Sequence, residues 1–94
     1  MEEKKIMMDA AAHYGMHAQL LKLIEELGEL QREAVRMLLN GGDADHFCEE
    51  WADVLIMLEQ MVYFIPAAPM KVVKYQNEKL KRLKKRIDKE TGKA

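Results

Sequence analysis

Two apolar helical patterns separated by a short glycine turn constrain the fold of this chain more than any other feature. In the first pattern, apolar residues recur at steps of three and four, which places them on one stripe of an α-helix from Met16 to about Leu39. Asn40-Gly41-Gly42 can adopt positive φ and ends this helix, and Asp43 or Asp45 is a suitable N-cap for the next one. The sequence therefore predicts a helical hairpin. The stripe consists of Leu20, Leu23, Ile24, Leu27, Leu30, Ala34 and Leu38.

The second helix is predicted to extend to about Phe64 and is apolar on almost every side, since the five residues after Asp53 are all apolar. A helix of this composition is enclosed by others, and three helices cannot fully enclose it. We therefore predict an all-α domain spanning residues 1–94, a helical hairpin plus a basic C-terminal helix. We expect it to assemble as a homodimer or homotetramer into a four-helix-bundle-type core, in which the third helix or the N-terminus reaches a neighbour's site.

The two ends of the chain are less regular than the hairpin. Pro69 can serve as a first-turn residue of the third helix, which should end near Thr91-Gly92. Residues 1–15 could form a helical turn or two or a mobile N-terminal segment, and His13-Tyr14-Gly15 is typical of an interruption. Gly28, inside the first helix, marks a close helix approach or is merely tolerated. The apolar stripe of the third helix consists of Val73, Leu80, Leu83 and Ile87.

The charge of the chain is divided sharply between its two parts. Residues 1–70 carry five Lys/Arg against thirteen Asp/Glu, and residues 71–94 carry ten against three. The simplest interpretation is an acidic hairpin neutralised by a basic helix. That helix could also touch nucleic acid, but an acidic majority on the same small body would cancel the long-range attraction. We therefore expect no nucleic-acid partner.

The single cysteine and the distribution of apolar residues indicate in which cellular compartment the protein is expected. Cys48 is the single cysteine, so no intrachain disulfide can form, and a reducing cytosol fits. The apolar run after Lys4-Lys5 is interrupted by Asp9, which makes it too weak for a secretion signal. No stretch approaches the roughly 20 apolar residues of a membrane-spanning helix. We expect a soluble, cytoplasmic protein without a membrane partner.

Two acidic pairs interrupt the apolar pattern. Glu26 with Glu29, and Glu50 with Asp53, are each spaced three residues apart, so each pair lies on one face of its helix. Carboxylates that converge in a partly buried site must protonate or bind a cation. Mg²⁺ takes oxygen ligands, and acidic residues on facing helices are an established way to bind metals. The alternative is that each pair belongs to a solvated helix surface.

These residues resemble a hallmark of the MazG-type all-α nucleoside triphosphate pyrophosphohydrolases, Glu-Glu-x-x-Glu followed by Glu-x-x-Asp. Here the two motifs are Glu25-Glu26-Leu27-Gly28-Glu29 and Glu50-Trp51-Ala52-Asp53, with twenty residues between them. The resemblance covers about residues 13–88. It implies a reaction that hydrolyses a nucleoside triphosphate between the α and β phosphates, yielding monophosphate and pyrophosphate. The Mg²⁺ ligands that it implies, with Mn²⁺ as a substitute, are Glu26, Glu29, Glu50 and Asp53.

The resemblance also implies roles around the metal. Glu25, beside the ligand Glu26, could act as a base toward the attacking water or hold an additional metal, and an exposed helix residue is its alternative. Resembling proteins direct basic residues of the third helix toward the phosphates. On the first helix, Gln19 and Lys22 are weaker candidates for binding the substrate. The basic residues are Lys79, Arg82 and Arg86.

Other assignments stay open at this point. Trp51 falls within the apolar stripe of the second helix and is predicted to be core. A helical interaction module or antitoxin-like protein, whose acidic clusters pair with the basic helix, is the competing function. A nucleobase could stack on or hydrogen-bond three residues, His13, Tyr14 and His17, and a mobile segment or a partner-facing turn is their alternative role. His46 lies on the same face as Glu50 and Asp53, and N-terminal helix surface is its default interpretation.

Overall fold

Three helices make up the chain in the computed structural model, which describes residues 2–93 apart from the side chain of Asn40. Helix α1 spans Glu2–Asn40, α2 spans Ala44–Gln60, and α3 spans Ala68–Thr91. A short 3₁₀ helix, Met61–Tyr63, follows α2 directly. The predicted all-α class is confirmed, and no strand occurs between residues 2 and 93. Met1 and Ala94, the ends of the predicted domain, lie outside the described residues.

Helix α1 is interrupted at Gly15, where φ is 85° and ψ is 165°. This conformation is open essentially to glycine alone, so the predicted interruption at His13-Tyr14-Gly15 is confirmed. The residues before it are helical from Glu2 onward, which is longer than the turn or two expected. They pack against the 3₁₀ helix: Ala11 is 2% exposed, and the Tyr63 hydroxyl donates to the Lys4 carbonyl at 3.3 Å.

The hairpin turn follows the predicted chemistry. Asp43 is the N-cap of α2, and its side chain accepts from the Asp45 backbone N–H at 2.8 Å. Gly41 has a φ of 72°, and the Gly42 N–H donates to the Arg36 carbonyl at 3.2 Å, a bond that closes the C-terminal turn of α1. Helix α2 ends at Gln60, four residues before the predicted end, because the chain tightens into the 3₁₀ helix there.

Gly42→Ala is expected to lower the melting temperature by several degrees, equivalent to about 1–3 kcal/mol. A Cβ at Gly42 would lie 2.7 Å from the Met37 backbone N and 2.8 Å from its Cα, and backbone cannot move aside cheaply. The measurement is thermal unfolding followed by circular dichroism. Gly28→Ala is the matched control, because a Cβ there meets nothing within 4 Å. The described residues of one chain therefore make no close helix approach at Gly28. Alanine favours a helix interior by about 1 kcal/mol over glycine, so the control should melt higher. A Gly42→Ala protein as stable as the wild type would contradict the prediction.

The apolar core of one chain is thin. Four apolar residues in the described range are buried: Ala11, Val54, Met57 and Met61. On the other sides of α2, Leu55 is 46% and Ile56 is 48% exposed. Trp51, predicted to be core, is 52% exposed and contacts Phe47 edge to face, so that prediction is wrong for the single chain. The expected enclosure of α2 is therefore not achieved by one copy.

Helix α3 leaves α2 uncovered because it approaches only the 3₁₀ helix among the other helices. It contains no buried residue, and its predicted apolar stripe is 40–57% exposed. The ion pairs of residues 2–93 do not join α3 to the hairpin, so the expected neutralisation of one by the other does not occur within a chain. Pro69 lies in the first turn and Gly92 ends the helix, as predicted. None of the described helices has a stretch apolar and long enough to cross a membrane.

Candidate metal centre

Four carboxylates from α1 and α2 converge in the middle of the hairpin. Each contributes one oxygen that lies within 4.8 Å of the others. The three-residue spacing within each helix puts each pair on one face, and the Gly41-Gly42 turn folds the two faces together. The predicted convergence is thus observed. We call these four residues the carboxylate cluster: Glu26, Glu29, Glu50 and Asp53.

Two carboxylate oxygens of the cluster are buried and have no hydrogen-bond partner among the described residues. Glu26 is only 6% exposed. Its Oε1 lies 3.3 Å from Lys22 Nζ, whereas its Oε2 is buried with no hydrogen-bond partner among the described residues. The Oε2 of Glu50 is in the same condition. A buried, unpaired carboxylate oxygen is costly, so this arrangement favours either protonation or a bound cation.

The pKa of Glu26 is shifted by its burial and by the charged residues around it. Burial raises the pKa of the Glu26 carboxyl most strongly, the hydrogen bond from Lys22 opposes the rise, and the charges of Glu29 and Asp53 add to it. Lys22 is affected in return, since its contacts with Glu26 and Glu25 raise the pKa of its ammonium. Lys22 is the one cation that the ion pairs of the described residues bring to the cluster, so most of the negative charge stays uncompensated.

The donor set matches a hard divalent cation. All four side chains offer carboxylate oxygens, which suit Mg²⁺, Mn²⁺ and Ca²⁺ and disfavour metals that prefer thiolate or imidazole. Asp53 is exposed while Glu26 is buried, so the cluster opens to solvent on one side. A cation held here could therefore also contact a ligand from solution.

Glu25 and Gln19, both predicted site residues, differ in their surroundings. Glu25 is exposed next to the cluster, and its Oε1 lies 3.4 Å from Lys22 Nζ. Gln19 is 6% exposed and its Nε2 donates to Gln60 Oε1 at 2.6 Å. In this structure the Gln19 amide nitrogen is thus bonded to α2, and a role of Gln19 toward a substrate stays a prediction.

Two buried polar residues outside the cluster have no role in the prediction from the sequence. Gln60 is 4% exposed and pairs with Gln19. Glu33 is 8% exposed, and its Oε2 accepts from Arg36 Nη1 at 2.6 Å. The signal that could have found them is a seven-residue spacing: Gln19, Glu26 and Glu33 follow one another at this interval, and Gln60 follows Asp53 by seven residues. Residues seven apart are two turns apart on nearly the same face.

The basic residues of α3 are not part of the cluster within one chain. Lys79, Arg82 and Arg86 together line an open depression of about 480 Å³. Helix α3 does not approach α1 or α2. If these side chains reach the phosphates of a nucleotide held at the carboxylate cluster, they must do so from another copy or after α3 has moved.

The candidates for nucleobase contact lie on the surface. His13 and Tyr14 are exposed and stack edge to face, with ring centroids 4.7 Å apart. His17 is also exposed. His46 lies one turn before Glu50, and its Nδ1 is 3.7 Å from Asp43 Oδ2 at the start of α2. These positions leave their roles as helix surface or ligand contact open.

Comparison with known proteins yields no match: no family model, no curated protein and no solved structure is significantly similar to this chain. The MazG-type assignment therefore stays a prediction carried by the two acidic motifs. The geometry of the carboxylate cluster is an observation independent of that resemblance, and by itself it is compatible with a bound metal ion.

Proposed function

We propose that the chain is a Mg²⁺-dependent nucleotide pyrophosphohydrolase that cleaves a (d)NTP or a related nucleotide to the monophosphate and pyrophosphate. One observation carries this proposal. Four carboxylates from two facing helices each place one oxygen within 4.8 Å of the others. Two buried oxygens of these carboxylates have no hydrogen-bond partner among the described residues. The resemblance of the two acidic motifs to the MazG-type family supplies the choice of reaction.

In this proposal the residues of the hairpin have separate roles. Glu26, Glu29, Glu50 and Asp53 would hold the metal. A bound Mg²⁺ would screen phosphate charge and lower the pKa of a bound water. The exposed carboxylate of Glu25 could accept a proton from the attacking water, while Lys22, three residues away, limits the negative charge that a triphosphate meets on approach.

Self-association is part of the proposal because one chain leaves much of its apolar surface in contact with solvent. Helix α2 exposes Leu55, Ile56 and Leu58 at 46–49%, and α3 exposes its whole apolar stripe. Large exposed apolar surfaces mark interaction sites. The second copy is the partner proposed here, since the acidic hairpin of one copy complements the basic α3 of another. Such contacts would bring Lys79, Arg82 and Arg86 to the phosphates in trans.

Light scattering is expected to give at least a dimer at micromolar concentration. Ile56→Glu places a charge on the exposed apolar side of α2 and should shift the mass toward the monomer, because a buried, unpaired charge is costly in an interface. Glu59→Gln, an exposed substitution on the same helix, is the control and should leave the mass unchanged. A wild-type protein that is monomeric under these conditions would contradict the proposed assembly.

Product analysis tests the reaction itself. Purified protein with Mg²⁺ and a panel of canonical and modified (d)NTPs is expected to release pyrophosphate and the nucleoside monophosphate. A chelator should abolish turnover, and added Mg²⁺ or Mn²⁺ should restore it. Release of orthophosphate, or turnover that persists without a divalent cation, would rule out the proposed mechanism.

A non-catalytic helical interaction module is the second candidate. The observation in its favour is that α3 contains no buried residue and carries both a basic face and an apolar stripe that is exposed in the described part of the chain. Thermal melting separates the two: an ion that binds only the folded state raises stability by mass action. The interaction module should show no rise with Mg²⁺ that depends on Asp53. A cytoplasmic location and the lack of a nucleic-acid partner stay predictions in either case.

A further inference from the structure

A buried hydrogen bond joins the two helices of the hairpin away from the carboxylate cluster. Gln19 Nε2 donates to Gln60 Oε1 at 2.6 Å, and both residues are at least 94% buried. The Gln60 amide nitrogen lies 3.7 Å from the Met57 sulfur, a weak acceptor. We call these two residues the glutamine pair. Among the described residues, the side-chain hydrogen bonds of the pair do not involve the four carboxylates.

The glutamine pair and the carboxylate cluster share one helix register. Gln19 precedes Glu26 by seven residues on α1, and Gln60 follows Asp53 by seven on α2. The two helices are joined by a tight turn and run in opposite directions. Seven residues back along α1 and seven residues forward along α2 therefore lead the same distance away from the turn, to positions that face each other. Both offsets correspond to about 10.5 Å along the helix. The alignment in which the glutamines meet is therefore the alignment in which Glu26 meets Asp53.

The carboxylates cannot hold this alignment by themselves. Before a cation binds, like charges within 4.8 Å of one another repel, which favours sliding or separation of α1 and α2. A slide of one turn is about 5.4 Å and would set Gln19 against Met57 or against residues beyond α2. A buried amide left without its hydrogen-bond partner destabilises the arrangement that strands it. The apolar residues of the hairpin give less discrimination, since each would still meet another apolar residue.

We propose that Gln19 and Gln60 are positioning residues that hold α1 and α2 in the register at which the four carboxylates can share one ion. The consequence for metal binding rests on the proposed function, whereas the effect on register does not. Single buried polar residues are known to fix the register of helix pairs at some expense in stability. The glutamine pair fixes the register of α1 and α2 in the same way, in a hairpin whose carboxylate cluster is made of mutually repelling charges.

The test combines metal affinity with a direct measurement of register. The variant Gln19→Met with Gln60→Met replaces both amides by unbranched apolar side chains of similar length. Its matched control is Gln31→Met with Gln76→Met, the same change at two exposed positions. Calorimetric titration with Mg²⁺ is expected to show an affinity about 10–100-fold lower in the glutamine-pair variant. The melting temperature of that variant should equal or exceed that of the wild type, and the control should match the wild type in affinity.

Register is read from the distance between spin labels at Arg32→Cys and Glu59→Cys in a Cys48→Ser background. The labelled chain is diluted with unlabelled protein so that distances within one chain are measured. In metal-free protein, the glutamine-pair variant is expected to broaden or shift this distance by about 5 Å, the rise of one helical turn. An unchanged distance overturns the proposal, whatever the metal affinity.

The outcomes separate this proposal from the proposed function. If the wild type does not bind Mg²⁺, the proposed function fails, and the spin-label distance alone decides the register claim. If the wild type binds Mg²⁺ and the glutamine-pair variant binds it equally well, the positioning role is overturned while the metal site stands. Should the double variant fail to fold, Gln60→Glu decides. It keeps an acceptor for Gln19 and is expected to retain the wild-type distance, so a shifted distance in that variant overturns the proposal.

Discussion

Glu50→Gln is expected to lower nucleotide turnover by at least about 100-fold, the range that the loss of one group stabilising charge in a transition state produces. The substitution keeps the shape of the side chain and removes its negative charge. Glu50 is one of the four oxygen donors, and its Oε2 is buried with no partner in the described part of the chain. A neutral amide there offers a weaker ligand and also places an NH₂ donor where a cation would bind.

Glu49→Gln is the matched control for this prediction. Glu49 precedes Glu50 on α2, is exposed, and belongs to neither the cluster nor an ion pair of the described residues. Steady-state kinetics at saturating Mg²⁺, together with circular dichroism to show that both variants are folded, should give wild-type rates for Glu49→Gln alone. Equal activity of the two variants would mean that the cluster does not carry the reaction.

The carboxylate cluster could be predicted from the sequence because local rules determine it. The three-residue spacing fixes which carboxylates share a face, and the Gly41-Gly42 turn reverses the chain so that α2 returns along α1. The N-cap, the interruption at Gly15 and the end of α3 at Gly92 follow from equally local chemistry. Each of these predictions depends on residues close together in the chain.

Long-range packing could not be predicted in the same way. A stripe such as that of α3 shows that a helix buries one side, but not against which surface. In the described part of a single chain, no residue of this stripe is buried. The surroundings of Trp51 could not be predicted for the same reason. An apolar position on a helix is compatible with a core inside one chain or with an interface between copies. The role of Gln60 is hidden in the sequence because a lone glutamine at the end of an apolar helix is ordinary until its partner, Gln19, is known.

Glu26→Gln is expected to stabilise the protein in the absence of divalent cations while abolishing its response to them. The raised pKa of Glu26 means that the folded state binds a proton more tightly than the unfolded state does. The associated stability is fully present below the ordinary glutamate pKa of about 4.3, and it is lost as the pH rises through the raised value. At pH 7 the wild type therefore holds a buried carboxylate at a disadvantage, which the neutral glutamine removes.

The size of this effect should be measurable by thermal melting. A gain of about 1 kcal/mol raises the melting temperature of a domain this small by about 4–8 °C. Mg²⁺ at a hundred times its dissociation constant would stabilise the wild type by about 2.7 kcal/mol, so saturating Mg²⁺ should reverse the order of the two proteins. Glu49→Gln serves again as the control, because it removes an exposed charge and should follow the wild type in both conditions. A metal-free Glu26→Gln protein that melts below the wild type, or that still gains stability from Mg²⁺, would show that burial of this carboxylate does not serve to bind a cation.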